Sequence, residues 1–194
     1  ARAHGLDHHT TLTGFKWIAR APGLGFGYEE AIGFCPDPAH VRDKDGIATS
    51  VVAASLVAAL KAQGRSVWDE LERLARLHGL HVSSPLTFRV EQIEQIASGM
   101  ARLRAQPPSV LAGSPVVEVS DLSQGYRGLP PTDGVLVLTE AGDRVIARPS
   151  GTEPKLKCYL EVILPVGEGE PLPWEQARER LDAIKGAFAE IIGL

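Results

Sequence analysis

The chain has 194 residues, of which 44% are hydrophobic and 23% are charged, a composition typical of a folded globular protein and unlike that of a disordered or collagen-like chain. Lysine and arginine number 20 against 24 aspartate and glutamate residues, so the formal net charge is −4. That balance gives no general attraction to nucleic acid or to an anionic membrane, and no run of apolar residues is long enough to predict a membrane-spanning helix. Two cysteines are too few for a disulfide framework or a four-cysteine zinc site, which favours reduced thiols in a cytoplasm.

The first 78 residues predict part of an α/β domain. Residues 14–20 predict a short strand, and a glycine-rich loop follows it. Residues 47–62 predict a helix that Asp45 caps and that is apolar on almost all sides, so we expect it to be buried. A second helix begins at Ser66 and ends before Gly79. One strand and two helices cannot readily cover the apolar helix, so we expect this part to be incomplete or completed by a partner.

Residues 79–194 predict an α+β domain with a mainly antiparallel sheet packed by two helices. Pro85 predicts that the first strand lies at a sheet edge or carries a bulge. In the last strand every second residue is apolar, which predicts one buried face. The predicted elements, in chain order, are a strand over residues 81–90, a helix from 93 to 107, a strand over 116–119, a hairpin over 134–148, a strand over 155–164 and a helix over 174–191.

The loop over residues 148–155 carries an unusual concentration of groups that bind anions. It offers a guanidinium, two hydroxyls, an ammonium and a glycine within eight residues, and phosphate is held in proteins by such charged and directional donors. From the residue types alone, a polar surface turn is the alternative interpretation. The candidate phosphate-binding residues are Arg148, Ser150, Gly151, Thr152 and Lys155.

Two further segments carry groups suited to binding a sugar. In the pair Glu29 and Glu30, a carboxylate can accept two hydroxyl hydrogen bonds at once, and the alternative is a solvated loop. Lys44 lies just before the cap of the predicted apolar helix, where it can reach a phosphate or a sugar hydroxyl. The alternative for Lys44 is an exposed lysine without a ligand.

These segments follow one another in an order that resembles the α-D-phosphohexomutase superfamily, which includes the phosphoglucomutases and phosphomannomutases. Residues 148–157 are similar to the phosphate-binding loop of that family, and residues 13–17 resemble its substrate-specificity loop. Residues 27–33 resemble its sugar-binding loop, and residues 42–46 resemble the lysine-bearing segment that follows. The details are most similar to the branch of phosphoglucomutases and phosphopentomutases.

The resemblance implies a role for each matching segment. Residues 1–78 would be the C-terminal part of domain three, which binds sugar, and residues 79–194 would be domain four, which binds phosphate. Lys44 is the only candidate for a catalytic role, in proton transfer. Ala31 stands where many members have a serine that contacts sugar, so glucose, mannose, ribose and deoxyribose phosphates all remain open. The implied substrate-binding residues are Gly14, Lys16, Glu29 and Lys44, and the implied phosphate-binding residues are the five of the loop.

Two motifs of the family are absent from these 194 residues: the active-site serine loop of domain one and the magnesium-binding aspartate loop of domain two. We therefore expect a C-terminal fragment of a mutase that isomerises sugar 1-phosphates and 6- or 5-phosphates through a bisphosphate intermediate. The resemblance implies Mg²⁺ with its ligands outside this chain, a sugar bisphosphate activator, and no metal site here. The expected partners are a phosphosugar and the missing N-terminal domains, with no nucleic acid or membrane. The alternative is a stand-alone phosphosugar-binding module without catalytic activity.

Overall fold

The computed structural model describes residues 1–150 and 153–193, and the chain forms two compact units, Ala1–Glu70 and Leu71–Leu194. Within the described residues, no single helix is long and apolar enough to cross a membrane. One pair of consecutive helices, which meet at a sharp bend, reaches the required length and apolar composition only when the two are taken together.

The first unit contains a short hairpin and helices. A 3-10 helix at Arg2–His4 comes first, and helix α3 (Val67–His78) begins at the end of the unit and continues into the second one. The other elements of the unit are helix α1 (Phe15–Ile18), strand β1 (Gly27–Glu29), strand β2 (Gly33–Cys35) and helix α2 (Gly46–Ala62). Strands β1 and β2 pair antiparallel, with Glu29 directly opposite Gly33.

The prediction of a strand over residues 14–20 is wrong, because this segment contains helix α1. Gly14 has a φ of 107°, which turns the chain into the helix. The amide of Trp17 then donates to the carbonyl of Gly14 at 2.9 Å, and the amide of Ala19 donates to that of Phe15 at 2.9 Å. In so short a segment, aromatic residues two positions apart do not distinguish a strand from a single helical turn.

Helix α2 forms where the sequence predicts it, but the expectation that it is buried is wrong. Asp45 caps it as predicted, because its Oδ1 accepts a hydrogen bond from the amide of Ala48 at 2.9 Å. Leu60 is its one buried residue, whereas Ile47 is 84% exposed. A hairpin of two three-residue strands is too small to cover a 17-residue helix. The exposed apolar side chains of α2 are Ile47, Val51, Val52, Leu56 and Val57.

The second unit is an α+β fold built on a six-stranded antiparallel sheet, which confirms the predicted fold class. Its strands are β3 (Leu80–Arg89), β4 (Val110–Leu111), β5 (Ser114–Asp121), β6 (Val135–Thr139), β7 (Arg144–Pro149) and β8 (Lys155–Leu164). Helices α4 (Ile93–Ala105) and α5 (Trp174–Ile192) supply the helical layer. The strand order is β3-β8-β7-β6-β5-β4, so β3 lies at an edge, which is one of the two placements that Pro85 predicts.

One face of this sheet packs against the two helices to form the core. The predicted alternation of β8 is confirmed, because its apolar residues from Leu156 to Leu164 are buried and the residues between them are partly exposed. Helix α5 contributes Leu181, Ile184 and Phe188 to the same core. The opposite face of β8 presents Lys155, Lys157, Tyr159 and Glu161, which leaves a polar sheet surface next to the candidate phosphate loop.

Candidate functional site

Three of the four predicted substrate-binding residues meet at one carboxylate in the first unit. The Oε2 atom of Glu29, at the end of β1, accepts a hydrogen bond from the amide of Gly14 at 3.1 Å. The Nζ atom of Lys44 lies 2.7 Å from the other oxygen, Oε1. The side chain of Glu29 is 13% exposed and that of Lys44 is 41% exposed, so the pair is anchored at the carboxylate and accessible at the ammonium.

Two residues that the sequence analysis did not select hold this arrangement in place. The Nζ atom of Lys44 lies 4.6 Å from the ring centroid of buried Phe15, a cation–π distance. Gly33 lies against both groups: a Cβ atom there would be 2.5 Å from Cγ of Glu29 and 2.8 Å from Cε2 of Phe15. In the sequence, a glycine four residues after Glu29 could have indicated a tight hairpin whose second strand places Gly33 opposite Glu29.

The fourth predicted substrate residue, Lys16, has a different neighbour. Its Nζ atom lies 5.8 Å from the ring centroid of Trp17, and its side chain is exposed. Glu30 is exposed as well, and its carbonyl accepts a hydrogen bond from the amide of Ile32 at 2.8 Å. Of the two adjacent glutamates, Glu29 alone therefore joins Gly14 and Lys44.

The candidate phosphate loop connects β7 to β8 in the second unit. Arg148 lies near the end of β7, and Lys155 is the first residue of β8. The amide of Ser150 donates to the carbonyl of Lys155 at 2.9 Å, which closes the loop across its base. Gly151 and Thr152 lie outside the described residues.

The charges of this loop are partly balanced. Lys155 forms an ion pair with Glu153, and this contact is the main reason why the pKa of Glu153 lies below its usual value. The charges of Arg89 and Lys157 lower that pKa further. Among the described residues, no carboxylate forms a salt bridge with Arg148. Its guanidinium therefore has donors to offer to an anionic ligand.

Comparison with known proteins identifies the family. Residues 1–77 match the family described as "Phosphoglucomutase/phosphomannomutase, alpha/beta/alpha domain III". Residues 87–163 match "Phosphoglucomutase/phosphomannomutase, C-terminal domain". The chain belongs to this phosphohexomutase family. The resemblance drawn from the sequence motifs is thereby confirmed.

Individual members of the family are similar over most of the chain. The "Probable phosphomannomutase" of Haemophilus influenzae is 41% identical over 83% of this chain and 33% of its own length. The "Phosphopentomutase" of Mus musculus is 30% identical over 98% of this chain and 34% of its own length. A "Phosphoglucomutase" of Staphylococcus aureus is 31% identical over 85% of this chain and 33% of its own length. The chain thus spans about a third of the length of the curated relatives it matches.

A solved structure has a similar fold. The open form of the Paramecium phosphoprotein parafusin, whose description includes phosphoglucomutase, matches with a TM-score of 0.58 over 88% of this chain and 31% of its own length. At 18% identity this likeness shows the fold alone.

The described residues of this phosphohexomutase-family chain do not fit a metal ion or a nucleophilic thiol. No group of three or more histidine, cysteine, aspartate or glutamate side chains among them could hold a metal. Cys35 and Cys158 are both buried and unpaired. Burial raises the pKa of both thiols, that of Cys158 to about 12, so neither forms a thiolate readily near neutral pH.

Proposed function

We propose that this chain holds the substrate of a phosphosugar mutase that interconverts sugar 1-phosphates and 6- or 5-phosphates through a bisphosphate intermediate. The observation that carries the proposal is the meeting of Gly14, Glu29 and Lys44 at one carboxylate, from three separate segments of the chain. The names of the similar proteins support it: a probable phosphomannomutase, a phosphopentomutase and a phosphoglucomutase.

In this proposal Glu29 accepts hydrogen bonds from sugar hydroxyls. An ionised carboxylate has about four lone-pair positions, and Gly14 and Lys44 use one on each oxygen. One position on each oxygen remains, which suits two hydroxyls of one sugar. Lys44 uses one of its three donors on Glu29 and directs the others to sugar or phosphate oxygens. We propose Lys16 as a fourth contact, on the strength of the resemblance.

The loop of the second unit binds the phosphate that does not react. Arg148 supplies a planar fork that can contact two phosphate oxygens, and Lys155 supplies a point charge. Ser150 is assigned a hydroxyl contact from the resemblance, since its amide already donates to the carbonyl of Lys155. Gly151 and Thr152 are assigned to the same role from the resemblance. A firmly held phosphate supplies binding energy remote from the reaction, which orients the end of the sugar that does react.

The proposal assigns phosphoryl transfer to parts of the polypeptide outside these 194 residues. The magnesium ion and the bisphosphate activator act there, and Lys44 contacts substrate with proton transfer as its one candidate catalytic role. Residues 1–78 then serve as the end of domain three and residues 79–194 as domain four. We place the enzyme in the cytoplasm, where free cysteines stay reduced.

Calorimetric titration of the chain with sugar phosphates tests the proposal. We expect glucose 6-phosphate, mannose 6-phosphate or ribose 5-phosphate to bind and unphosphorylated glucose not to bind. Glu29→Gln and Arg148→Gln should each weaken the binding. Lack of binding by every sugar phosphate, with the chain folded, would contradict the proposed function.

A turnover assay tests where the chemistry lies. The chain alone should not convert glucose 1-phosphate in the presence of glucose 1,6-bisphosphate and magnesium. Robust turnover that co-purifies with this polypeptide would contradict the assignment of phosphoryl transfer to other parts. The intact mass of the protein from its native source distinguishes a part of a longer mutase from a stand-alone binding module.

A further inference from the structure

Four cationic side chains lie on the polar face of the sheet, at the end where the loop joins β7 to β8. They form two cross-strand pairs. Arg89 on β3 is directly opposite Lys155 on β8, and Arg148 on β7 is directly opposite Lys157 on β8. Directly opposed residues project from the same face of a sheet, and so do residues two apart on one strand. We call these four residues the basic patch. Arg148 and Lys155 belong to the phosphate loop, whereas Arg89 and Lys157 have no role so far.

The basic patch opposes like charges, which costs stability. Directly opposed side chains have Cβ atoms about 4.5–5.5 Å apart, and like charges at that separation repel. Farther along the same face the sheet pairs opposite charges, because Arg144 on β7 lies 2.9 Å from Glu161 on β8. The repulsive pairs are thus confined to the end of the sheet that carries the loop.

Little in the described part of the chain balances these charges. Glu153 pairs with Lys155, but no carboxylate in the described part of the chain forms a salt bridge with Arg89, Arg148 or Lys157. Four cations against one carboxylate leave an excess of three positive charges, in a chain whose net charge is −4. A phosphate monoester carries a charge of about −1.5 to −2 at neutral pH, so an excess of this size suits a doubly charged ligand.

We propose that Arg89 and Lys157 are specificity residues of the phosphate site, which make it prefer doubly charged phosphate monoesters to singly charged tetrahedral esters such as sulfates. This inference rests on the proposed function. Hydrogen-bond donors in the loop fit both kinds of ester, because both present a tetrahedral group of oxygens. Coulomb attraction to Arg89 and Lys157 grows in proportion to ligand charge, so these two residues separate the two classes.

The test compares glucose 6-phosphate with glucose 6-sulfate by calorimetric titration of the full chain at low salt. A buffer at about pH 8 keeps the phosphate ester doubly charged, because its second pKa is about 6. We expect Arg89→Gln and Lys157→Gln each to weaken phosphate-ester binding about two- to fivefold, the range of exposed ion pairs, and the double variant to weaken it about tenfold. Sulfate-ester binding should fall less, and Arg89→Lys should keep the selectivity.

Arg178→Gln is the matched control, because it removes one exposed cation from α5 in the same unit. It should leave both affinities unchanged. A second readout is thermal: Lys157→Gln removes one repulsive pair, so it should raise the melting temperature in phosphate-free buffer by about 1–3 °C. The same variant should gain less stability than the unaltered chain when glucose 6-phosphate is added.

The outcomes separate the inference from the proposed function. If Arg148→Gln weakens binding but the Arg89 and Lys157 variants bind both esters as the unaltered chain does, the inference is overturned and the phosphate site stands. Equal losses for the two esters would also overturn it, since charge selection requires unequal ones. If the unaltered chain binds neither ester, the phosphate site itself is wrong, and the inference fails with it.

Discussion

Arg180 on helix α5 binds the buried carboxylate of Asp143 with two parallel hydrogen bonds, 2.8 Å from Nε to Oδ1 and 2.7 Å from Nη2 to Oδ2. Asp143 lies in the turn between β6 and β7 and is 0% exposed. Thr139 donates a third hydrogen bond to it, from Oγ1 to Oδ2 at 2.9 Å. The turn that precedes β7, the strand bearing Arg148, is thereby fixed to the closing helix.

Removal of Asp143 should strongly destabilise the chain. Asp143→Ala leaves the guanidinium of Arg180 without its partner in a partly buried position, so we expect a loss of about 2–4 kcal/mol in the free energy of unfolding. Lys185→Ala on the same helix is the control: its partner Asp182 is 71% exposed, and the loss should be below about 0.5 kcal/mol. Urea titrations measure the free energy of unfolding of both variants. Equal losses would contradict the stabilising role of the Arg180–Asp143 ion pair.

Gly33→Ala should weaken sugar-phosphate binding as much as Glu29→Gln does, although Gly33 carries no ligand group. The new methyl group would lie 2.5 Å from Cγ of Glu29, so the carboxylate must move away from Gly14 and Lys44. Gly25→Ala is the matched control, because a Cβ atom there meets nothing within 4 Å. Calorimetry with glucose 6-phosphate measures the affinities. Binding by Gly33→Ala equal to that of Gly25→Ala would show that the position of Glu29 does not matter.

Arg148→Ala should be the most damaging single change in the phosphate loop. Its planar fork contacts two oxygens at once, so we expect a loss of about 1.5–3 kcal/mol in binding free energy, whereas Ser150→Ala should cost about 1 kcal/mol. Arg148→Lys should restore part of the affinity, because the charge remains and the fork is lost. Titration calorimetry gives the four affinities. A folded Arg148→Ala chain that binds as tightly as the unaltered one would make the loop an ordinary surface turn.

Alkaline pH should destabilise the chain through Cys158. Burial raises the pKa of its thiol from 9.0 to about 12, so above pH 9 the unfolded chain loses this proton while the folded chain keeps it. The stability is therefore full below pH 9 and falls by about 1.4 kcal/mol per pH unit as the pH rises toward 12. Chemical denaturation at a series of pH values measures the slope. Cys158→Ala should flatten it, and an unchanged slope would contradict the burial effect.

Limited proteolysis should cut the unit Ala1–Glu70 before the unit Leu71–Leu194. Helix α2 leaves Val51, Val52 and Leu56 exposed, so little burial opposes its local unfolding, whereas the second unit has a continuous core. Mass spectrometry of the early fragments identifies the cut sites. Equal resistance of the two units would show that the first unit is stabilised by more than the contacts described.

Periodic patterns predicted the second unit well. The alternation in β8 and the spacing of Leu181, Ile184 and Phe188 in α5 report directly which face is buried, because strand and helix geometry place those residues on one side. Pro85 predicted an edge strand or a bulge for an equally local reason, since proline cannot donate to a second neighbouring strand, and β3 is an edge strand.

Long-range contacts, in contrast, were decided by tertiary structure. The apolar composition of α2 predicted a helix correctly but not its exposure, because burial depends on what other elements cover it. The sequence pointed to Glu29 and Lys44 singly. Their pairing requires the β1–β2 hairpin to bring Gly33 against Glu29, so that the absence of a side chain at Gly33 leaves room for the carboxylate beside Phe15. Local patterns record the geometry of one element, whereas close approach between distant residues arises when the elements pack.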